Sequence, residues 1–510
     1  MKMKIAALIL ACLMIVPFIA SCGQKNEGAG RNTDVQTTDA STGGDETEDD
    51  SVTASQAEIK EIMDYVNDVA SKIEVGGIDF TWFGPSNVAV NAPEKDEETG
   101  DIMSDAVYYR QRDIEEIYGV KWHNEWGENG EDVADKAENE VMAGGDSYDL
   151  VYGSVRSAGT PMLNAGILRT TNDLEYVDLD QRWWLGSLRD TFSINGRLFF
   201  LIGPIVVNSY TDTNIILFNK DVTAMFNMDD IEIYDSVKDG KWTIDRMLEV
   251  ASKIPENASG TGVYRYIEPV GFPFLFSSGL TITKFDEEGT PYVESTLPKE
   301  YSDLADKLCA VFSDESQSMF AYYDKEKKDF IEKYDIDQED AFADGKGLFY
   351  FVNAADALYL RNYDVSFGIL PMPKLSASQK QYYSFANSWL GGAVYFLKTV
   401  KNISMSDSIA ESMAALSQIY VKDAYYTKLL KSQAIFDMES RDMLDIIYST
   451  KIYDMADLYA GGNLDNWGEI INVIDKAIRY DSSTFASDYR ANARVASMNI
   501  RMLIKTLDND

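Results

Sequence analysis

The sequence predicts an α/β protein folded as two lobes with a helical C-terminal region, and three observations carry that reading. Short apolar runs bounded by turn residues alternate with longer stretches of helical periodicity, as where the pattern over 132–142 stops at Gly144-Gly145 and leads into Tyr148-Asp149-Leu150-Val151-Tyr152. Such alternation argues for βαβ units and a parallel sheet covered on both faces. The chain has 510 residues, 45% of them hydrophobic, which is more than one core usually holds and fits two lobes. From about Ser406 onward the pattern is mainly helical, and no repeat at a solenoid period interrupts it.

The elements follow in order. Ile59, Ile62, Met63, Val66, Val69, Ala70 and Ile73 fall on one face of a helix predicted over 58–73, which Gly76 and Gly77 stop. Phe80-Thr81-Trp82-Phe83 reads as a strand ending in Gly84-Pro85, and a second helical pattern precedes Gly119-Val120-Lys121-Trp122. Leu198 to Leu201 and Ile215 to Lys220 are apolar strands separated by the polar, turn-prone stretch Asn208 to Asp212. Thr243 is placed to cap a helix carrying Ile244, Met247, Leu248, Ala251 and Ile254, and Pro255 ends it. Gly347 to Val352, Val365 to Leu370 and Ala393 to Leu397 read as further buried strands.

The N-terminus reads as an export signal. Lys2 and Lys4 precede a nearly unbroken apolar run from Ile5 to Ile19, too short to span a bilayer comfortably but in proportion for a signal core. Ile19-Ala20-Ser21-Cys22 resembles the bacterial lipobox, which makes Cys22 the expected lipidated first residue after removal of residues 1–21. Residues 23–56 are poor in apolar side chains and end in an acidic run at 45–50, so residues 22–57 are expected to form a solvated tether. Three cysteines occur; with Cys12 in the signal and Cys22 at the anchor, Cys309 stands alone and no disulfide framework is expected. The net charge of −38 becomes −40 once Lys2 and Lys4 leave with the signal. That favours solubility and excludes nucleic acid, whose phosphates demand Lys and Arg.

Several segments together resemble the extracellular solute-binding proteins of ABC importers, in particular the large sugar-binding lipoproteins related in architecture to maltose-binding protein. They are Gly145-Asp146-Ser147-Tyr148-Asp149-Leu150-Val151, Gly196-Arg197-Leu198-Phe199-Phe200 and Ile216-Leu217-Phe218-Asn219-Lys220-Asp221. Lys238-Asp239-Gly240-Lys241-Trp242-Thr243, Phe342-Ala343-Asp344-Gly345-Lys346-Gly347 and Phe367 to Lys374 follow, and Ser440 to Ile447 closes the set. The resemblance implies a periplasmic-binding-protein-like fold of two α/β lobes with ligand in the cleft and hinge crossovers between them. Lobe 1 is then expected over 58–208 plus about 391–430, and lobe 2 over 213–388 plus about 431–510. The first crossing falls at Asn208 to Thr213 and the second at Asn387 to Gly392, where Gly391-Gly392 offers backbone freedom. The implied protein is a monomer, extracytoplasmic, lipid-anchored to the cell membrane, and delivers a carbohydrate to ABC permease subunits.

Enzyme signals are poor. His123 is the single histidine, without a second His or Cys to share a metal, and reads as a surface or packing residue. No nucleophile elbow, phosphate loop or zinc spacing is visible, and no cofactor or metal is expected. The acidic stretches Asp229 to Glu232 and Asp335 to Asp340 do not follow the EF-hand spacing and read as solvated turns. Sugars pack C–H faces on aromatic rings while polar groups bind their hydroxyls. Trp82, Phe83, Tyr152, Tyr210, Phe274 and Trp389 fall at predicted strand ends or interlobe links, where ligands bind in such folds. Asn87, Ser154, Asn353 and Asn387 are the expected polar partners, and Arg441 and Asp442 reach the cleft or pair with each other. Trp183-Trp184 and Trp242 read as core. A secreted carbohydrate-active enzyme and a peptide-binding importer component remain the alternatives.

Overall fold

The computed structural model describes residues 54–87, 97–256, 258–321, 330–360, 363–431, 438–459, 470–480 and 482–508. The signal, Cys22 and most of the tether lie outside them. In chain order the strands are β1 (Asp79–Pro85), β2 (Lys121–Gly127), β3 (Leu150–Ser154), β4 (Asn214–Asn219) and β5 (Tyr264–Ile267). Next come β6 (Thr283–Phe285), β7 (Pro291–Val293), β8 (Ser318–Met319) and β9 (Gly347–Asn353). β10 (Phe367–Pro371), β11 (Ser384–Phe385), β12 (Gly392–Tyr395) and β13 (Lys451–Ile452) complete the set.

Two sheets organise the molecule, one ordered β12-β3-β1-β2 and the other β10-β4-β9-β5-β8. In the first, β1 runs parallel to β2 and β3, with Phe80 opposite Trp122 and Trp82 opposite both Asn124 and Leu150. The sheets are mixed rather than parallel throughout, which corrects the sequence expectation. β12 is antiparallel to β3, with Gly392 opposite Ser154, and β4 is antiparallel to β9 and β10, with Asn214 opposite Asn353. The physical reason is where the chain enters. β4 and β12 each follow directly on a link between the sheets, so each starts at the edge where its neighbours end. Leu201 pairs with Val394, so the apolar run at 198–201 extends the first sheet by a bridge instead of a full strand.

Local chemistry fixes the helices. Asp101 caps the helix Ile102–Tyr118 by accepting from the N–H groups of Met103 and Ser104, both at 3.1 Å, and Gly119 ends it at φ 65°. Thr243 caps the helix Ile244–Ala251 as predicted, while the buried Trp242 indole donates to the Pro371 carbonyl at 2.9 Å. Asp229 and Asp337 likewise cap the helices Asp230–Lys238 and Gln338–Ala343, which gives the two acidic stretches a structural use. His123 lies on β2 with Nε2 2.8 Å from Asp79 Oδ1. Among the described residues no group of three or more His, Cys, Asp or Glu is placed to hold a metal ion.

The C-terminal part is helical, including Ile403–Leu416, Val421–Lys431, Met438–Ser449 and Phe485–Asp508. Helix Ile403–Leu416 is buried almost all round, yet it carries two carboxylates. Asp407 accepts from the backbone N–H groups of Glu175 and Tyr176 at 2.7 and 3.3 Å. Glu411 takes four donors: Tyr65 at 2.8 Å and Trp183 at 3.0 Å on Oε1, and Trp184 at 2.8 Å and the Asp178 N–H at 3.2 Å on Oε2. This is why Trp183 and Trp184 belong to the core: their rings fill it and their N–H groups satisfy a buried acid.

Candidate functional site

The ends of β1 and β3 meet two links between sheets, at 208–213 and 387–392, at one edge of the first sheet. There a cavity of about 200 Å³ is bordered by Asn87, Gly130, Ser154, Ser157, Asn208 and Trp389. Each wall has a local cause. Ser154 ends β3 and its hydroxyl accepts from the N–H groups of Arg156 and Ser157 at 3.3 and 3.2 Å, turning the chain sharply, while donating to the Ser388 carbonyl at 3.0 Å. Gly130 opens the helix Gly130–Met142 against that turn, where an added Cβ would sit 2.1 Å from Ser157 Oγ. Asn208 donates through Nδ2 to the Leu390 carbonyl at 3.2 Å, joining the first link to the second.

Trp389 stands on the second link with 38% of its surface exposed. Its backbone N–H donates to Asn387 Oδ1 at 2.9 Å, and the Arg156 guanidinium lies 4.6 Å from the ring centroid. Arg156 is buried and sits 3.6 Å from Asp457 Oδ1, whose other oxygen accepts from the Ser388 N–H at 3.0 Å. Burial pushes the Arg156 guanidinium down and the Asp457 carboxyl up, and each partner opposes the other's shift. The result is one aromatic face held by a cation, with amides and hydroxyls around it.

Behind the cavity the links are tied together. Asp212 is wholly buried; its Oδ1 is 2.6 Å from Lys451 Nζ and 3.1 Å from Thr213 Oγ1, and its Oδ2 accepts from Tyr453 at 2.6 Å. Its carbonyl accepts from the Asn387 N–H at 2.9 Å. Three passages of chain, at 208–213, 384–392 and 450–453, therefore meet at Asp212, two through its carboxylate and the third through its main-chain carbonyl. Gly391 and Gly392 are needed here for close approach rather than for backbone freedom. An added Cβ would sit 2.7 Å from Asp212 Oδ2 at Gly391 and 2.2 Å from Val206 at Gly392, and neither has a positive φ.

The structure brings Asn87, Ser154 and Trp389 to one cavity, and Asn387 holds the backbone N–H of Trp389 without bordering that cavity. Asn353 ends β9 in the second sheet, accepting from Asn214 Nδ2 at 3.1 Å. Four of the expected rings are placed otherwise. Trp82 and Tyr152 stack on each other at 4.6 Å inside the first core, Phe83 stacks on Tyr148 at 4.1 Å, and Phe274 packs on Phe312 and Phe351. Trp82, Phe83 and Tyr152 are buried because their sheet is covered on both faces, which gives a ring an interior to fill on either side, and Phe274 is buried on the helix Phe272–Ser277. Tyr210 is also buried, stacked on Tyr425 at 5.5 Å, and borders a second cavity of about 390 Å³ that includes Trp183 and Lys451. Asp442 pairs with Lys238 at 2.8 Å rather than with Arg441, and neither residue borders the first cavity. Arg156, Ser157 and Gly130 went unnamed by the sequence, and Asn208 was read as part of the first crossing and not as a site residue; the sharp turn after β3 was the available signal for Arg156 and Ser157.

No protein-family model matches the sequence, and comparison with curated protein sequences finds no match. Solved structures do match. The galacto-N-biose/lacto-N-biose I-binding protein of the ABC transporter from Bifidobacterium longum, in complex with lacto-N-biose, is 12% identical over 85% of this chain and 98% of its own, with a TM-score of 0.52. An ABC substrate-binding protein from Listeria monocytogenes in complex with cycloalternan is 13% identical over 85% of this chain and 98% of its own, TM-score 0.47. Maltose-bound MalE3 of T. maritima is 13% identical over 85% and 100%, TM-score 0.44. The likeness to the first is one of fold: the chain has the two-lobed α/β fold of substrate-binding proteins, with two sheets joined by several links and a helical C-terminal region.

Proposed function

We propose that this chain is the extracytoplasmic solute-binding component of an ABC importer and that its ligand is a sugar or oligosaccharide. The observation that carries the reading is the cavity at the ends of β1 and β3, where the half-exposed Trp389 ring stands among Asn87, Asn208, Ser154 and Ser157. An aromatic face for C–H contacts beside amides and hydroxyls suits a polyhydroxylated ring. The lacto-N-biose bound by the Bifidobacterium longum protein of similar fold supports the same class. In this reading Trp389, Asn87, Ser154 and Asn208 touch the ligand, Asn353 meets it from the facing lobe, and the lobes rotate about the three passages that meet at Asp212. A thermal-shift screen over mono- and oligosaccharides is expected to show at least one sugar raising the melting temperature, since a ligand bound only by the folded state stabilises it. That sugar should be recovered chemically intact; its cleavage would favour the carbohydrate-active enzyme instead.

Cys22 is proposed as the lipid anchor, from the lipobox-like Ile19-Ala20-Ser21-Cys22 and the polar stretch that follows it. Cys22→Ser is expected to release the protein from the membrane fraction or to leave the signal uncleaved. A Ser variant that is still processed and still membrane-bound contradicts the anchor.

A further inference from the structure

The helix Phe485–Asp508 buries one stripe, Phe485, Tyr489, Ala493, Ala496, Ile500, Leu503 and Leu507, against the protein. Its outer face is unlike the rest of the chain. At 3.6 residues per turn, Arg490, Arg494, Arg501 and Lys505 fall within roughly 60° of arc, and Met498, Met502 and Val495 occupy roughly the next 60°. All seven side chains are exposed, Val495 by 40%, Met498 by 52% and Met502 by 62%. The acids of this helix stand at its ends and are engaged: Asp488 pairs with Lys476 and Asp508 with Arg197. Among the described residues, none of the four cations forms an ion pair. In a chain of 84 acidic and 46 basic residues, an exposed face with four cations, three apolar side chains and no acid between them is a local inversion of sign.

We propose that this face docks on an anionic bilayer surface. Cations attract anionic headgroups over about a Debye length, beyond which the negative charge elsewhere on the molecule is screened. Flexible thioether side chains beside them can enter the headgroup boundary, as the apolar side of an interfacial helix does. An acidic protein is the competing occupant, since Arg and Met are enriched in protein interfaces, but the arc offers it no aromatic anchor. The docking is independent of the sugar-binding reading.

The test uses residues 51–510, the compact unit that contains all the described residues, after its cooperative melting is confirmed. Sedimentation with vesicles of phosphatidylglycerol and phosphatidylcholine should show binding that weakens at least tenfold on raising salt from about 50 to 200 mM. Vesicles of phosphatidylcholine alone should bind at least tenfold less. Replacing Arg490, Arg494, Arg501 and Lys505 together by Gln should lower binding at least tenfold, and Met498→Ser with Met502→Ser severalfold. Gln at Lys60, Lys72, Lys241 and Lys299, four exposed cations elsewhere, should leave it unchanged. No binding to anionic vesicles, equal binding to neutral ones, or an equal loss in the control variant overturns the proposal. So does a concentration-dependent dimer abolished by the helix substitutions, which would give the face to a second copy. Binding to polyglutamate without binding to vesicles would assign it to an acidic protein and equally overturn the bilayer.

Discussion

Replacing Asp212 by asparagine should cost about 3–5 kcal/mol of folding stability, the usual loss when one partner of a buried ion pair is removed. The amide fits the space of the carboxylate but leaves Lys451 buried without a counter-charge, and it turns an N–H₂ group toward one of the donors now served by the two oxygens. The position magnifies the effect, since the same residue joins three passages of chain. Chemical unfolding of Asp212→Asn, of Lys451→Met and of the double variant measures it. The double variant should recover a large part of the loss, because removing both charges removes the penalty of stranding one. A single-variant loss below about 1 kcal/mol, the scale of an exposed pair, would show that the passages are not held together here.

Glu411→Gln should strand two of the four donors around that side chain, at roughly 1–3 kcal/mol for each buried group left unpaired. It should also flatten the pH dependence of stability. Burial pushes the Glu411 carboxyl from its ordinary 4.5 up to about 7, against the pull of the Trp184, Tyr65, Asp178 and Trp183 donors. A carboxyl whose folded pKa is raised binds its proton more tightly in the folded state. Its contribution is therefore fully present below about pH 4.5 and is lost as pH rises through about 7. Asp407 and Asp475, both raised to about 6 mainly by burial, act in the same direction from 3.8 upward. The melting temperature of the wild type should accordingly fall between about pH 4.5 and 7, and that of Glu411→Gln should fall less. Parallel curves for the two proteins would remove Glu411 as a cause of the slope.

What the sequence revealed and what it hid divide along physical lines. Local signals were legible. Thr243 caps its helix as its position before Ile244 suggests, and the apolar runs at 80–83, 215–219 and 347–352 lie within β1, β4 and β9. Direction was not legible, because the antiparallel entry of β4 and β12 follows from where the links lie and not from any residue in those strands. Nor was the side on which a ring points. Trp82 shares a face with Phe80 two residues before it, so the alternation of the strand carries both into the core, while Trp389 on a link escapes that constraint. Glu411 reads as an ordinary polar position inside an apolar helix, since its side-chain partners Tyr65, Trp183 and Trp184 stand hundreds of residues away. The glycines at 391 and 392 were visible, but their purpose depends on Asp212 and Val206 pressing against them.

The most direct measurement of the account is a paired one on Trp389→Ala, using a sugar found by the thermal-shift screen. Calorimetry gives the affinity, and melting without ligand gives the stability. Removing a ring that covers ligand forfeits about 1.5–3 kcal/mol of buried contact, a weakening of about ten- to hundredfold. Because Trp389 is 38% exposed and held mainly by its stacking on Arg156, its removal should change the ligand-free melting temperature little. A core tryptophan would instead cost about 3–5 kcal/mol of stability. The account predicts weaker binding in a protein that melts almost as the wild type does. Unchanged affinity in a well-folded variant, or loss of the fold itself, would contradict it.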